Sequence, residues 1–170
     1  MRTDLRIRRA ARSDVVALNA IYNWYVAHSP ATFDLEHVST EQRLRWLAEH
    51  EGGRHLALVA VDGGQVLGFA SSSRYRLRPA YDPSLETSVY VEHTHHSRGI
   101  GTRLYAALFD ELAGQDVHRA YAGIVLPNPG SVALHLRFGF RQVGHFSDQG
   151  RKFGRYWDVA WFERSMPGPA

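Results

Sequence analysis

Residues 88–112 read SVYVEHTHHSRGIGTRLYAALFDEL and predict a strand, a polar loop and a helix in direct succession. The strand is the β-branched run Val89-Tyr90-Val91, and the loop ends in Gly99 and Gly101 where the helix begins. The apolar face of this helix contains Leu104, Ala107, Leu108 and Leu112. A helix start next to glycines offers unpaired backbone N–H groups and the positive end of the helix dipole. We therefore expect a phosphate-bearing ligand at this point.

The glycine loop does not fit the two common nucleotide-binding patterns. Gly101 is followed by Thr102, Arg103 and Leu104, which excludes both the dinucleotide fingerprint G-x-G-x-x-G and the P-loop. The loop instead resembles the acetyl-coenzyme A (acetyl-CoA) loop of the GCN5-related N-acetyltransferases (GNATs): Gln or Arg, two residues, Gly, any residue, then Gly or Ala. It reads His96-Ser97-Arg98-Gly99-Ile100-Gly101, with His96 in place of Gln or Arg. The alternative interpretation is a helix start that uses glycine only for close packing.

Composition excludes several kinds of site and partner. The 170 residues are enough for one domain that buries roughly 70% of its unfolded surface. Cysteine is absent, which excludes disulfides, thiolate metal ligands and a cysteine nucleophile. The net charge of +3 arises without a run of five like charges, so we expect no nucleic-acid partner and no membrane association. The first residues do not resemble a signal peptide, and we expect a cytoplasmic protein.

Three histidines in the loop, His93, His95 and His96, suggest a metal site at first sight. They could not all reach one ion from the end of a strand, and no acidic or cysteine partner has the spacing of a zinc site. We therefore interpret them as polar loop residues and expect no metal.

Hydrophobic periodicity and turn signals predict the order β-α-α-β-β-β-α-β-α-β-β. The second helix is expected to end at Gly52-Gly53, and the last two strands to span 141–146 and 156–161. We expect a single domain over residues 1–166 and a short tail at 167–170. Strands mixed with helices predict an α/β structure. The same element order occurs in the GNAT acyl-CoA N-acyltransferase fold, and the resemblance implies a mixed central β-sheet flanked by helices on both faces.

Glu86 is the expected catalytic base. The segment at 82–91, DPSLETSVYV, resembles the part of phosphinothricin and methionine sulfoximine acetyltransferases that carries the catalytic glutamate. The resemblance implies that Glu86 accepts the proton of the substrate amine, directly or through a water, and a glutamate is ionised at neutral pH. It also implies that the backbone of Val89, Tyr90 and Val91 binds acetyl-CoA and polarises its thioester carbonyl. On spacing alone, a solvated carboxylate at a strand edge is the more common interpretation of Glu86.

A second segment, LPNPGSVALH at 126–135, resembles the family stretch that completes the cofactor site. Asn128 and Ser131 are expected to contact acetyl-CoA, although Asn in such a turn can simply form the turn. His135 corresponds to an active-site histidine of the phosphinothricin enzymes, and a packed helix histidine is the alternative. The cofactor-binding residues implied by the glycine loop and these two segments are Val89, Tyr90, Val91, His96, Ser97, Arg98, Gly99, Ile100, Gly101, Thr102, Asn128 and Ser131.

The polar loop that begins at Arg74 resembles the amino-acid-binding loop of the same subfamily. Arg76 and Arg78 are expected to hold a carboxylate, because a planar guanidinium can donate two parallel hydrogen bonds to it. Phe153 or Tyr156 is expected to line the acceptor pocket. The substrate-binding residues implied are Tyr75, Arg76, Leu77, Arg78, Glu86, Thr87 and Ser88.

These observations predict an acetyl-CoA-dependent N-acetyltransferase that acts on the α-amine of a small amino-acid-like substrate of the phosphinothricin, methionine sulfoximine or methionine sulfone type. Direct attack of the amine on the thioester is expected, without an acyl-enzyme. By resemblance the protein is expected to be a homodimer. Two alternatives remain, namely an enzyme that acetylates peptide or protein N-terminal amines and a non-catalytic CoA-binding module.

Overall fold

The computed structural model describes residues 5–96 and 98–168 of the chain. The prediction that Ser97 contacts the cofactor lies outside the described residues. Within them the elements, in chain order, are β1 (Arg6–Arg9), α1 (Val15–His28), α2 (Thr40–Ala48), β2 (Glu51–Gly52), β3 (His55–Asp62), β4 (Gln65–Arg74), β5 (Ser84–Val91), α3 (Ile100–Leu112), β6 (Arg119–Val125), α4 (Pro129–Arg137), β7 (Arg141–Lys152) and β8 (Arg155–Ser165).

The predicted bounds of three elements are wrong. Helix α2 ends at Ala48 rather than at Gly52-Gly53, and Glu51–Gly52 instead pairs with β3 as a two-residue strand. The last two strands are longer than predicted and form one hairpin, because β7 keeps pairing with β8 through a register shift between Phe146 and Gly150 as far as Lys152. The remaining elements follow the predicted order.

The strands form one mixed sheet in the order β1-β3-β4-β5-β6-β8-β7, with β2 on β3. Strands β5 and β6 are parallel, and the other described pairs are antiparallel. Alternation along β3 sends Leu58 to the cluster that contains α3, and Val59 to the cluster that contains α1. Helices therefore cover both faces of the sheet, as predicted. In the described part of the chain no helix combines the length and the apolar composition that crossing a bilayer requires.

The sheet opens between β5 and β6. Three residue pairs join these strands, and the last of them is Glu86 with Tyr121. Beyond this pair β5 follows β4 as far as Val91, whereas β6 follows β8 as far as Val125. The divergence leaves a gap in the middle of the sheet, next to the start of α3.

Main-chain groups of β5 point into this gap. The Glu92 N–H donates to the Leu67 carbonyl at 2.8 Å, and the register of β5 on β4 is continuous, without a bulge. Because the direction of main-chain bonding alternates along a strand, the N–H and C=O groups of Val89 and Val91 point away from β4. The gap therefore exposes the peptide groups of Val89 and the N–H of Val91, whereas those of Tyr90 point to β4 and the Val91 carbonyl accepts the Tyr25 O–H.

Candidate active site

A cavity of about 700 Å³ fills the gap. Its walls come from β5, the start of α3, β6, α4 and the segment that joins α1 to α2. The predicted site residues in its lining are Glu86, Thr87, Ser88, Val89, Tyr90, Val91, His96, Gly99, Ile100, Gly101, Thr102, Asn128, Ser131 and His135. Arg98 was also predicted but is exposed and outside the lining.

The glycine loop has the backbone that an anion site requires. Gly99 is the N-cap of α3 and has φ = 74°, a left-handed conformation that side chains rarely adopt. A Cβ atom at Gly101 would lie 3.4 Å from a methyl group of Leu134, in the space between α3 and α4. The loop therefore presents a helix N-terminus to the cavity, and glycine leaves the approach open.

His96 is joined to this site through Tyr25. The Tyr25 hydroxyl donates to the Val91 carbonyl at 2.6 Å, and burial raises its pKa to about 12. Since this O–H is already used, the contact of 3.1 Å between the Tyr25 hydroxyl and His96 Nε2 has the imidazole as donor. His96 therefore connects the glycine loop with α1 and with the open edge of β5.

Asn128 begins α4 as its cap. Its side-chain oxygen accepts the Ser131 N–H at 3.1 Å, which explains why the helix starts here. Both residues line the cavity next to this helix N-terminus. The N-terminus of α4 therefore also lies at the cavity, and its Ser131 N–H is already bonded to Asn128.

Glu86 projects from β5 on the face that α1 and α2 cover, because it lies opposite Ser73 and alternates with Thr87. Burial raises the pKa of this carboxyl group. Among the described residues no side chain donates a hydrogen bond to it. A partly desolvated carboxylate without a bound donor is a stronger base than one in water, as proton abstraction from an amine requires.

His135 lies on the other face of β5, together with Thr87 and Tyr105. Its Nδ1 donates to the Ser131 carbonyl at 2.7 Å, so Nε2 accepts the Tyr105 O–H at 2.9 Å. The imidazole is 3% exposed, and burial lowers its pKa. His135 is thus a packed, neutral histidine that still reaches the cavity wall. Sequence reasoning missed Tyr105, which is a polar group on the apolar face of α3.

Comparison with known proteins identifies the family. A model of the acetyltransferase (GNAT) domain matches residues 7–161. The chain belongs to the GNAT acetyltransferase family. It is 51% identical to a phosphinothricin N-acetyltransferase of Streptomyces coelicolor over 96% of this chain and 97% of that protein. It is 33% identical to an L-methionine sulfoximine/L-methionine sulfone acetyltransferase of Salmonella typhimurium over 95% of both proteins.

A solved GNAT structure has the same architecture. The phosphinothricin acetyltransferase of Sinorhizobium meliloti, in complex with acetyl-CoA, has a TM-score of 0.88 and 31% identity, covering 95% of this chain and 88% of that one. The predicted family and fold are therefore confirmed.

The predicted substrate loop lies elsewhere in this GNAT chain. The lining of the cavity does not include Tyr75, Arg76, Leu77 or Arg78. The Arg76 guanidinium instead stacks over the rings of Tyr75 and Tyr81, at 5.1 and 5.7 Å from their centroids. Ring stacking holds it on the surface, so the structure does not bring the predicted carboxylate clamp to Glu86.

The last hairpin contributes different residues to the cavity than the sequence predicted. Phe153 and Tyr156 are exposed and outside the cavity lining, because the hairpin turns just beyond Lys152. Gln149 and Trp161 line the cavity from β7 and β8, and Phe33 lines it from the segment between α1 and α2. The described residues contain no group of three or more side chains placed to hold a metal ion.

Proposed function

We propose that this protein transfers the acetyl group of acetyl-CoA to the α-amine of a small amino-acid-like substrate of the phosphinothricin, methionine sulfoximine or methionine sulfone type. The observation that carries the proposal is Glu86, a carboxylate of raised pKa in a cavity that also contains a glycine-capped helix start. The names of the Streptomyces and Salmonella relatives support the substrate class.

The residues that line the cavity are suited to binding acetyl-CoA. The N-terminus of α3 behind Gly99 suits the pyrophosphate, and the peptide groups of Val89 and the N–H of Val91 suit the amide-bearing arm and the thioester carbonyl. The cavity volume of about 700 Å³ is within the range of small-molecule sites. When bound, acetyl-CoA supplies the acetyl thioester.

In the proposed reaction, the side chains on the two faces of β5 have different roles. Glu86 is on the α1 and α2 side and accepts a proton from the amine, directly or through a water. Tyr105 and His135 are on the α3 and α4 side, where the Tyr105 hydroxyl lines the cavity; in this proposal its O–H turns from His135 Nε2 to the departing thiolate sulfur. In this proposal His135 acts through Tyr105, because Nε2 of His135 accepts the Tyr105 O–H and so positions this hydroxyl before the reaction.

An acceptor panel tests the proposal. CoA release by the purified protein is measured with phosphinothricin, methionine sulfoximine, methionine sulfone, their α-amides and short peptides. We expect rapid release with the free amino acids. Release with peptides alone would favour the alternative of an N-terminal amine acetyltransferase, and release with none of them would favour a CoA-binding module.

We also propose a cytoplasmic homodimer. Acetyl-CoA is an intracellular metabolite, which supports the location. Four apolar side chains on the last hairpin, Val143, Phe146, Phe153 and Tyr156, are exposed in the single chain and support assembly. Light scattering of the purified protein should give twice the mass of one chain, and a monomer at all concentrations would contradict the dimer.

A further inference from the structure

Arg43 is a buried cation without an ionic partner. It lies on α2 and is 4% exposed. Its Nε donates to the Asn19 side-chain oxygen at 3.0 Å, and its guanidinium lies 4.6 Å from the ring centroid of Tyr22 and 4.8 Å from that of Trp46. Within the described residues no carboxylate approaches it within 4 Å. Burial of a charge is unfavourable unless it is paired, and burial lowers the pKa of Arg43 accordingly.

The free donors of Arg43 face a second cavity. Among the described residues, every buried side-chain nitrogen without solvent contact has a hydrogen-bond partner. The terminal nitrogens of Arg43 have no hydrogen-bond partner in the described part of the chain. They therefore keep contact with solvent. Arg43 lines a cavity of about 200 Å³, together with Ser71, Ser73, Ser88 and Tyr90. A guanidinium with hydroxyl groups around it is suited to an oxyanion.

This second cavity adjoins the catalytic one. Ser88 and Tyr90 line both. Ser73 lies directly across the ladder from Glu86, and Ser88 follows Glu86 on the same face of β5. Two residues along a strand span about 7 Å, so an amine at Glu86 and an acidic group in the second cavity can belong to one small molecule.

The charges around the second cavity favour a zwitterion. Asp34 also lines this cavity, and its carboxylate accepts the Tyr22 O–H at 2.7 Å rather than pairing with Arg43. Ser73 donates to the neutral His50, whose pKa is lowered by burial. The second cavity therefore holds the cation of Arg43 and the carboxylate of Asp34, and the carboxylate of Glu86 lies in the adjoining cavity. A ligand with one anionic and one ammonium group matches this pattern, whereas a simple amine or a simple anion matches half of it.

We propose that Arg43 binds the oxyanion group of the acceptor, a carboxylate or a phosphinate, while the amine of the same molecule lies at Glu86. This assignment rests on the proposed acetyl transfer to an amino-acid-like acceptor. It gives Arg43 the role that the sequence suggested for Arg76, whose guanidinium is on the surface.

The test compares Arg43→Met with the parent and with Arg45→Met, an exposed arginine on the same helix. We expect the acceptor KM to rise about 10- to 150-fold in Arg43→Met, as the loss of a charged hydrogen-bond partner predicts. The acetyl-CoA KM should remain that of the parent, and Arg45→Met should behave as the parent. A folded Arg43→Met protein whose acceptor KM lies within twofold of the parent value overturns the assignment.

A second measurement begins with the parent protein. The parent is assayed with an acidic acceptor, with its α-amide and with a form whose side-chain acid is esterified. We expect one neutralised form to have a strongly raised KM, which identifies the acidic group that the acceptor site binds, and this rise should be much smaller in Arg43→Met. Equal KM values for all three overturn the assignment. A parent that acetylates none of them contradicts the proposed function itself.

Arg43→Lys, which keeps the charge but loses the paired donors, should give an intermediate acceptor KM.

Discussion

Gly150 lies against the ring of Phe33, with no room for a side chain between them. A Cβ atom at this position of β7 would overlap three atoms of the ring. Strand β7 makes a second contact with the segment that contains Phe33. Lys152 Nζ donates to the carbonyls of Ser29 and Thr32 at 2.8 and 2.7 Å. The last hairpin therefore sets the position of a ring that lines the catalytic cavity.

Gly150→Ala should displace Phe33 and impair acceptor binding. We expect the acceptor KM to rise by about tenfold or more, because misplacement by about 1 Å near a reacting group can have effects as large as about 100-fold. The acetyl-CoA KM should change little. Gly144→Ala is the matched control, because a Cβ atom there meets its nearest neighbour at an ordinary 3.6 Å. Similar kinetics for the two variants would show that Phe33 does not set the acceptor site.

Glu86→Gln keeps the shape of the side chain and removes its ability to accept a proton. We expect kcat/KM to fall by about 100-fold or more near neutral pH, and by less at high pH, where more of the amine is already neutral. Burial raises the pKa of Glu86, so in the parent the acid limb of the kcat/KM profile should lie above the usual range of a glutamate. Full activity of the variant at pH 7 would make Glu86 structural.

His135 should remain neutral at pH 7. Its folded-state pKa is lowered, so below about pH 6.5 the unfolded chain binds a proton that the native histidine does not, and stability falls as the pH decreases. An NMR titration of the ring checks this, and a pKa of 6.5 or higher would contradict it.

Tyr105→Phe removes the hydroxyl that His135 Nε2 accepts, leaving a buried acceptor unpaired. We expect the free energy of unfolding in urea to fall by about 1–3 kcal/mol and kcat to fall as well. Tyr81→Phe is the control, because that ring is partly exposed. If kcat of Tyr105→Phe equals that of the parent, the hydroxyl has no part in the reaction.

Gly101→Val should raise the acetyl-CoA KM strongly. A Cβ atom at Gly101 points toward Leu134, Val89 and Val91, so a β-branched side chain would fill the space between α3 and α4. Ala106→Val places the same side chain on the exposed face of α3 and should have no such effect. Unchanged cofactor binding by a folded Gly101→Val protein would remove the glycine loop from the site.

Much of the fold and part of the site follow from local sequence. The helix start at the glycine loop, the turn at Asn128 and the strand that carries Glu86 were all predicted, because turn residues and hydrophobic periodicity act over a few neighbouring positions. The resemblance of three short segments was enough to predict the family.

Tertiary structure decided which of these residues meet. The register of β4 on β5 puts Ser73 beside Glu86, and α2 packs Arg43 over that face, whereas ring stacking keeps Arg76 on the surface. The pairing of Tyr105 with His135 likewise joins residues 30 positions apart. Such contacts depend on strand register and helix packing across the whole chain, which local periodicity does not encode.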